Sequence, residues 1–338
     1  MDKRTDKNTS FQPDVDPLLL KNLIQKSDML GLLHFAIYFI ILILLGCLSF
    51  VLLGSTWFFP VFLLYGIVFA FSEAAAHELN HDTVFRTKWL NVASHWLVCF
   101  LSWREPIYSK YRHLRHHAHT SVIGMDPEGE AVRTKSVRLM ILEMFTRFFH
   151  ARIHLGAIVR HSLGRIHETD QKIIPKGMIR KMILQSRIFF VGYLTVLGLS
   201  LYFQTWLLIL FLILPRSLGT FVHDLCARTQ HTALAVNNPD IRMTTRTVYL
   251  GPVLRFFYWN MNYHVEHHMF PLVPYHAAPR LHALIKGDSP EPYPSLFSCW
   301  KEIIPTLFKQ VKDPAYHVKR RLPDPLEVSR PPSKQFNY

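Results

Sequence analysis

The sequence predicts an all-α membrane protein in which four transmembrane helices form two hairpins and a cytosolic helical cap carries a set of histidine boxes. Three observations predict it. No Asp, Glu, Lys or Arg occurs between residues 29 and 72, and a bilayer crossing needs about 20 apolar residues, so these 44 residues hold two spans. The apolar pattern returns from residue 188 to about residue 223. Histidines, finally, cluster beside the apolar stretches: His77 and His81 in HELNH, His113, His116 and His117 in HLRHH, and His264, His267 and His268 in HVEHH.

Each element follows in chain order. Residues 1–28 form a mixed-charge cytosolic tail, and the apolar stretch behind it is too long for the core of a secretory signal peptide. Spans are expected over about 29–53 and 57–76, joined by a tight turn at Gly54, Ser55 and Thr56. Residues 90–103 are apolar but only 14 long, with Trp96 and Trp103 as amphipathic anchors, so they read as a surface or re-entrant helix. Residues 138–160 mix apolar residues with Arg147, His150, Arg152 and His154 in the pattern of an amphipathic helix lying on the bilayer, its histidines facing solvent. The second hairpin is expected over 188–203 and 206–223, turning at Phe203, Gln204 and Thr205, with Arg216 snorkelling to the headgroups. Another short aromatic segment, 249–259, leads into the third box. The integral-membrane domain thus runs over 29–282, followed by a cytosolic tail over 283–338. From Pro290 onward, with Pro323, Pro325, Pro331 and Pro332, that tail reads as irregular.

Charge orients the chain. Residues 104–187 carry 16 Lys and Arg, whereas neither hairpin turn carries any, so the positive-inside rule puts this loop and both termini in the cytoplasm. An even number of crossings then separates the boxes, and all three face one side, in a bacterial inner membrane or the endoplasmic reticulum. The net charge of +14 and pI near 9.7 fit anionic lipid headgroups better than nucleic acid, because the basic residues flank long apolar runs and no recognition motif accompanies them. Cys47, Cys99, Cys226 and Cys299 form no CxxC pair and point to neither a disulfide framework nor an iron–sulfur cluster.

The boxes carry the chemistry. On a helix, residues three and four apart share a face, so each box projects its imidazoles into one small volume, and neutral imidazole suits iron, zinc or copper. With 20 His in 338 residues, a shuffled chain would hold roughly 0.07 HxxHH triplets; this one holds two. A structural zinc site closes with four ligands, so three boxes exceed one ion's needs and point to a metal pair with positions open for oxygen. Glu73, Glu78, Asp82, Asp126 and Glu266 are candidates to orient imidazole N–H groups, and Asn260 and Asn262 are candidate oxygen ligands. His77-Glu78-Leu79-Asn80-His81 also satisfies HExxH, so an intramembrane zinc metalloprotease with Glu78 as base is a competing reading. It leaves the two HxxHH boxes without a purpose. A metal transporter would place polar ligands within its spans rather than beyond them.

At HELNHDTVF, YRHLRHHAHT and WNMNYHVEHHMFP the chain resembles the membrane fatty acid desaturase and hydroxylase superfamily, over roughly residues 30–282. In that family a lone histidine between the fourth span and the third box also binds metal, and His231 in RTQHTAL stands at the corresponding place. The resemblance implies a ligand set of His77, His81, His113, His116, His117, His231, His264, His267 and His268. It implies two non-haem irons, molecular oxygen as co-substrate, a lipid or acyl substrate, and a separate electron donor, cytochrome b5 or ferredoxin with its reductase. Desaturation is the expected outcome, with hydroxylation, including of a small polar metabolite, as the alternative. The chain departs from the stearoyl-type branch, which has four residues between the histidines of the first box where this chain has three. It departs from the front-end branch in having His264 where that branch has glutamine, and in lacking a fused haem domain ahead of residue 30.

Overall fold

A computed structural model describes residues 11–129, 136–146 and 148–323, and among these the architecture is helical, with only isolated bridges such as Thr247 to Tyr263 outside the helices. In chain order come α1 (Pro17–Leu23), α2 (Asp28–Val51), α3 (Phe58–Ala70), α4 (Ser72–Leu79), α5 (Lys88–Ser102) and α6 (Pro106–Ala118). Next are α7 (Val137–Thr146), α8 (Phe148–Ser162), α9 (Glu168–Ile173), α10 (Lys176–Tyr202), α11 (Leu207–Leu212), α12 (Leu214–Leu218) and α13 (Thr220–Ala227). The chain closes with α14 (Ile241–Thr244), α15 (Pro252–Phe257), α16 (His264–Met269), α17 (Ala278–Ile285) and α18 (Leu296–Lys312).

Among the described residues, three helices are long and apolar enough to cross a membrane: Asp28–Val51, Phe58–Leu79, in which α4 continues α3, and Lys176–Tyr202. At 1.5 Å per residue, α2 is about 36 Å long, more than the hydrocarbon thickness it would cross. Ser27 starts it by accepting the Leu30 amide at 3.3 Å. Both expected turns are present, with Gly54 at φ +84° and Gln204 at φ +50° reversing the chain in the left-handed region.

The single span expected over 206–223 is instead three short helices, α11, α12 and α13. Two residues account for the interruption. Pro215 has no amide hydrogen to give the Phe211 carbonyl four residues earlier, and Tyr65 of α3 donates its hydroxyl to that carbonyl at 2.8 Å. At Gly219 a Cβ would lie 1.8 Å from the Gly66 carbonyl carbon, so two backbones meet there with no room for a side chain. The third span also differs from expectation, because α10 begins at Lys176 rather than 188. Its first turns keep Arg180, Lys181 and Arg187 exposed and bury Met182, Gln185 and Ser186 against the cap.

The cap closes over the ends of α2, α4 and α10. Its largest apolar core joins Tyr38, Phe69 and Leu79 of the spans to Tyr258 and Trp259, which lead into α16. Both tails take part. Leu23 of α1 packs with Val265, Met269 and Leu281, and Asp16 caps α1 by accepting the amides of Leu18 and Leu19 at 2.7 and 3.0 Å. The stretch read as irregular from Pro290 onward contains the 17-residue helix α18. Ser295 and Ser298 form its capping box, and Cys299, Ile303 and Leu307 fall on one face and bury against Leu234 and Val248. Pro325, Pro331 and Pro332 lie outside the described residues, as does Arg147.

Two buried ion networks tie the cap to the spans. Glu73 accepts from both Arg104 and Arg216, so Arg216 is held inside the protein rather than snorkelling. His150, expected to face solvent, lies 4.0 Å from the same carboxylate. The second network centres on His161, whose Nδ1 lies 2.9 Å from Glu105 and whose Nε2 lies 3.6 Å from Asp170. Burial opposes the charged ring, but the Asp170 and Glu105 carboxylates outweigh it and raise its pKa from 6.5 to about 9. Because the folded value is the higher one, this ion pairing stabilises the cap fully below pH 6.5 and is lost as pH rises through about 9. Thermal melts are therefore expected to show a midpoint that falls between pH 6.5 and about 9, a slope that His161→Gln flattens; an unchanged slope in the variant would exclude this role.

Candidate metal centre

The histidine positions follow from local structure. His77 sits on the last turn of α4, and His81 follows in a turn that Asp82 closes at φ +56°. The helix α6, begun by Pro106 at its first turn, carries His113, His116 and His117 at spacings of three and four, so one face bears all three. The short helix α16 does the same for His264, His267 and His268. His231 lies in the turn beyond α13.

These elements bring nine imidazoles together in two groups. His77, His81, His113, His117 and His267 form one, and His116, His231, His264 and His268 the other, and within each group every ring offers a nitrogen within 4.8 Å of the others. In the first group the Nε2 atoms of His77 and His267 are 3.2 Å apart, those of His81 and His113 2.9 Å, and those of His117 and His113 3.0 Å. In the second, His264 Nε2 lies 3.0 Å from His231 Nε2 and 3.2 Å from His268 Nε2. The groups are adjacent, since the rings of His117 and His268 stack at 4.2 Å.

Four of the outward nitrogens are anchored. His116 Nδ1 lies 3.0 Å from Asp126, His113 Nδ1 3.4 Å from Glu128, His231 Nδ1 2.9 Å from the Thr244 carbonyl, and His268 Nδ1 3.1 Å from the Thr120 hydroxyl. An acceptor at Nδ1 holds the proton there and leaves the Nε2 lone pair facing the group's centre, which is the tautomer a metal requires. Electrostatics agree. Burial, then the neighbouring imidazoles, push His113, His117, His264 and His268 well below the ordinary range, and His231 and His267 down to about 3. His116 is the exception: burial lowers it, but the Asp126 and Glu128 carboxylates outweigh that and raise it. Converging lone pairs, held neutral by burial on every ring but His116, are the donor set of a polydentate metal site, and they fit a pair of borderline ions.

Of the five carboxylates expected to orient imidazoles, only Asp126 hydrogen-bonds one of the nine clustered rings. Glu78 accepts from the Thr83 hydroxyl and the Tyr275 amide, both at 2.9 Å. Glu266 meets His282 Nδ1 at 2.5 Å and the Thr247 hydroxyl at 2.6 Å, Asp82 pairs with Lys110, and Glu73 takes the two arginines. The candidate oxygen ligands are engaged differently too. Asn260 donates its side-chain amide to the Tyr275 carbonyl at 2.9 Å and Asn262 donates to the Val248 carbonyl at 3.0 Å, and neither belongs to the two imidazole groups.

Sequence reasoning missed Glu128. The signal for it was the Asp126-Pro127-Glu128 turn: Asp126 accepts the amides of Ser121 at 2.7 Å and Glu128 at 2.8 Å, and Arg112 of α6 donates to the Pro127 carbonyl. One turn thus supplies carboxylates to two neighbouring rings of the second box. Asp126→Asn is expected to lower metal affinity by about 10–100-fold, the usual cost of losing such a partner, with the helical content unchanged; metal titration followed by circular dichroism checks it.

The fatty acid desaturase family model matches residues 54–300, a stretch that contains all nine histidines. The chain is also 27% identical over 265 residues to the sphingolipid delta(4)-desaturase DES1-like protein of Oryza sativa subsp. japonica, an alignment covering 74% of this chain and 70% of that protein. With its three boxes in order, its apolar helices and a family match over most of its length, the chain belongs to the fatty acid desaturase family.

Proposed function

We propose that this protein is an oxygen-dependent, non-haem di-iron oxidoreductase that introduces a double bond into an acyl chain or lipid, with electrons from a separate donor such as cytochrome b5 or ferredoxin. The observation that carries the reading is the convergence of nine imidazoles into adjacent groups of five and four. His77, His81, His113, His117 and His267 would hold one iron, and His116, His231, His264 and His268 the other. When bound, such a metal pair supplies the activation of oxygen needed to remove hydrogen from an unactivated carbon. The chain's own residues prepare the site. Asp126, Glu128 and the Thr244 carbonyl keep protons on outward nitrogens, and burial of six of the nine rings limits access of bulk water to the centre. A relative named as a sphingolipid desaturase supports a lipid substrate and double-bond formation over hydroxylation. An apolar cavity of about 240 Å³ between α5, α8, α10 and α11, lined by Trp103, Tyr193, Leu197 and Ile213, offers the kind of volume a hydrocarbon chain fills.

The chain is read as multi-pass, with segment 207–227 as an interrupted fourth crossing and the metal centre on the cytosolic side, because the cationic loop 104–187 lies on the histidine-bearing side. The deciding experiment is mass spectrometry of lipids from a host expressing the chain, compared with a host expressing His267→Ala. A product lighter by two mass units is expected, and a gain of sixteen would assign hydroxylation instead. The protease reading is tested by Glu78→Gln. Its carboxylate is engaged by Thr83 and Tyr275, so the variant is expected to retain its metals and its product, whereas loss of a proteolytic activity would reverse the assignment.

A further inference from the structure

Two neighbouring helices that the metal centre does not use each expose a row of apolar side chains. On α18, about 110° round the helix from the side that packs inward, Phe297, Ile304, Phe308 and Val311 are 79, 40, 56 and 48% exposed. At 100° per residue these four fall on a single stripe about 60° wide. Lys301, Lys312 and Lys309 follow along one border of that stripe, and all three are exposed. The helix's one acid, Glu302, is turned away and accepts from the Tyr293 hydroxyl. The helix packed beside it, α7, exposes Leu139 and Leu142 at 54 and 52% and carries an exposed Arg138.

This surface is continuous with the membrane-facing part of the molecule. Phe145 of α7 stacks on Phe221 of α13 at 5.4 Å, and α7 also packs on α12, whose Leu214 and Leu218 are exposed within the interrupted apolar segment. A contiguous apolar face of this size on a soluble surface is rare, and one rimmed by cations and joined to a hydrophobic belt has the composition of an interfacial helix. We propose that α7 and α18 form an in-plane membrane plate that seats the cap on an anionic phospholipid leaflet, with the apolar stripes below the phosphates and the lysines among them. The inference rests on these two helices and their junction with α12 and α13, and does not depend on which reaction the metal centre performs.

The test uses full-length protein bearing Cys47→Ser, which removes the one exposed thiol, with a nitroxide introduced through Phe308→Cys or, on the other helix, Leu142→Cys. In vesicles of phosphatidylcholine and phosphatidylglycerol, both labels are expected to collide with oxygen several-fold more than with a water-soluble nickel chelate, and a label at Lys312→Cys is expected to show the reverse. Adding Lys301→Gln and Lys312→Gln should move the 308 label measurably toward the nickel-accessible zone, as should vesicles of phosphatidylcholine alone. Nickel-dominated contact at both 308 and 142 would place the plate in water and overturn the proposal. So would protection from both reagents, which would mean that a second copy or another protein covers it. An unchanged 308 label in the lysine variant would overturn the anionic part.

Discussion

Replacing His267 with alanine is expected to abolish turnover and to lower bound iron while leaving the protein inserted in the membrane. His267 is the ring that joins the third box to the first: its Nε2 lies 3.2 Å from that of His77, and its ring centre lies 4.7 Å from that of His81. Removing it leaves four rings in a group of five, with a void where a nitrogen had faced the centre. Loss of a partner that merely orients a ligand costs about 10–100-fold in affinity or activity, so loss of a ligand itself should exceed the upper end of that range. Elemental analysis of purified protein beside product assay checks it, and normal turnover with the iron gone would contradict the assignment. His116→Ala should behave alike through the second group, and it should also free Asp126, whose carboxylate is held below its ordinary value because His116 and the Ser121 and Glu128 amides outweigh the effect of burial.

The second large effect is structural. Gly219→Ala should prevent correct packing of α12 against α3, because the new methyl group would lie 1.8 Å from one backbone carbon and 2.1 Å from the Ile67 nitrogen. No rotamer relieves a clash with main chain, so the helices must separate, and the Tyr65 bond to the Phe211 carbonyl goes with them. A cost above about 4 kcal/mol is expected, in the range reserved for such named defects. Gly198→Ala is the matched control, since nothing stands within 4 Å of a Cβ there, and that change should be neutral or slightly stabilising. Gel filtration and melting of the two variants in detergent separate the outcomes; equal behaviour would show that the close approach tolerates a side chain.

Much of this was legible in the residues themselves. HLRHH and HVEHH encode short-range geometry, and helical spacing alone is enough to put three rings on one face. The uncharged run from 29 to 72 spells out α2 and the helix pair α3 and α4 for the same reason: a composition rule needs no tertiary information. What sequence pattern did not carry was everything set by partners distant in the chain. Glu78, next to a box histidine, is claimed by Tyr275, nearly 200 residues away, whereas Glu128 reaches His113 because Arg112 pins the turn between them. The interrupted segment was read as one span because hydropathy averages over Pro215 and Gly219, whose effect depends on Tyr65 and Gly66. In α18 the surrounding prolines, including Pro305 inside the helix, masked a capping box and an inward face that only Leu234 and Val248 make useful.

The nine rings come from segments spread between residues 77 and 268, and this dictates an order of events during synthesis. A nascent chain that has emerged only through His231 holds four members of the first group and two of the second, so neither set is complete until α16 leaves the ribosome. The first-box and second-box histidines therefore lack the rest of their groups while the final third of the polypeptide is made. If these groups bind metal as proposed, neither can be fully loaded before α16 leaves the ribosome, and that release is the step on which a complete site would depend.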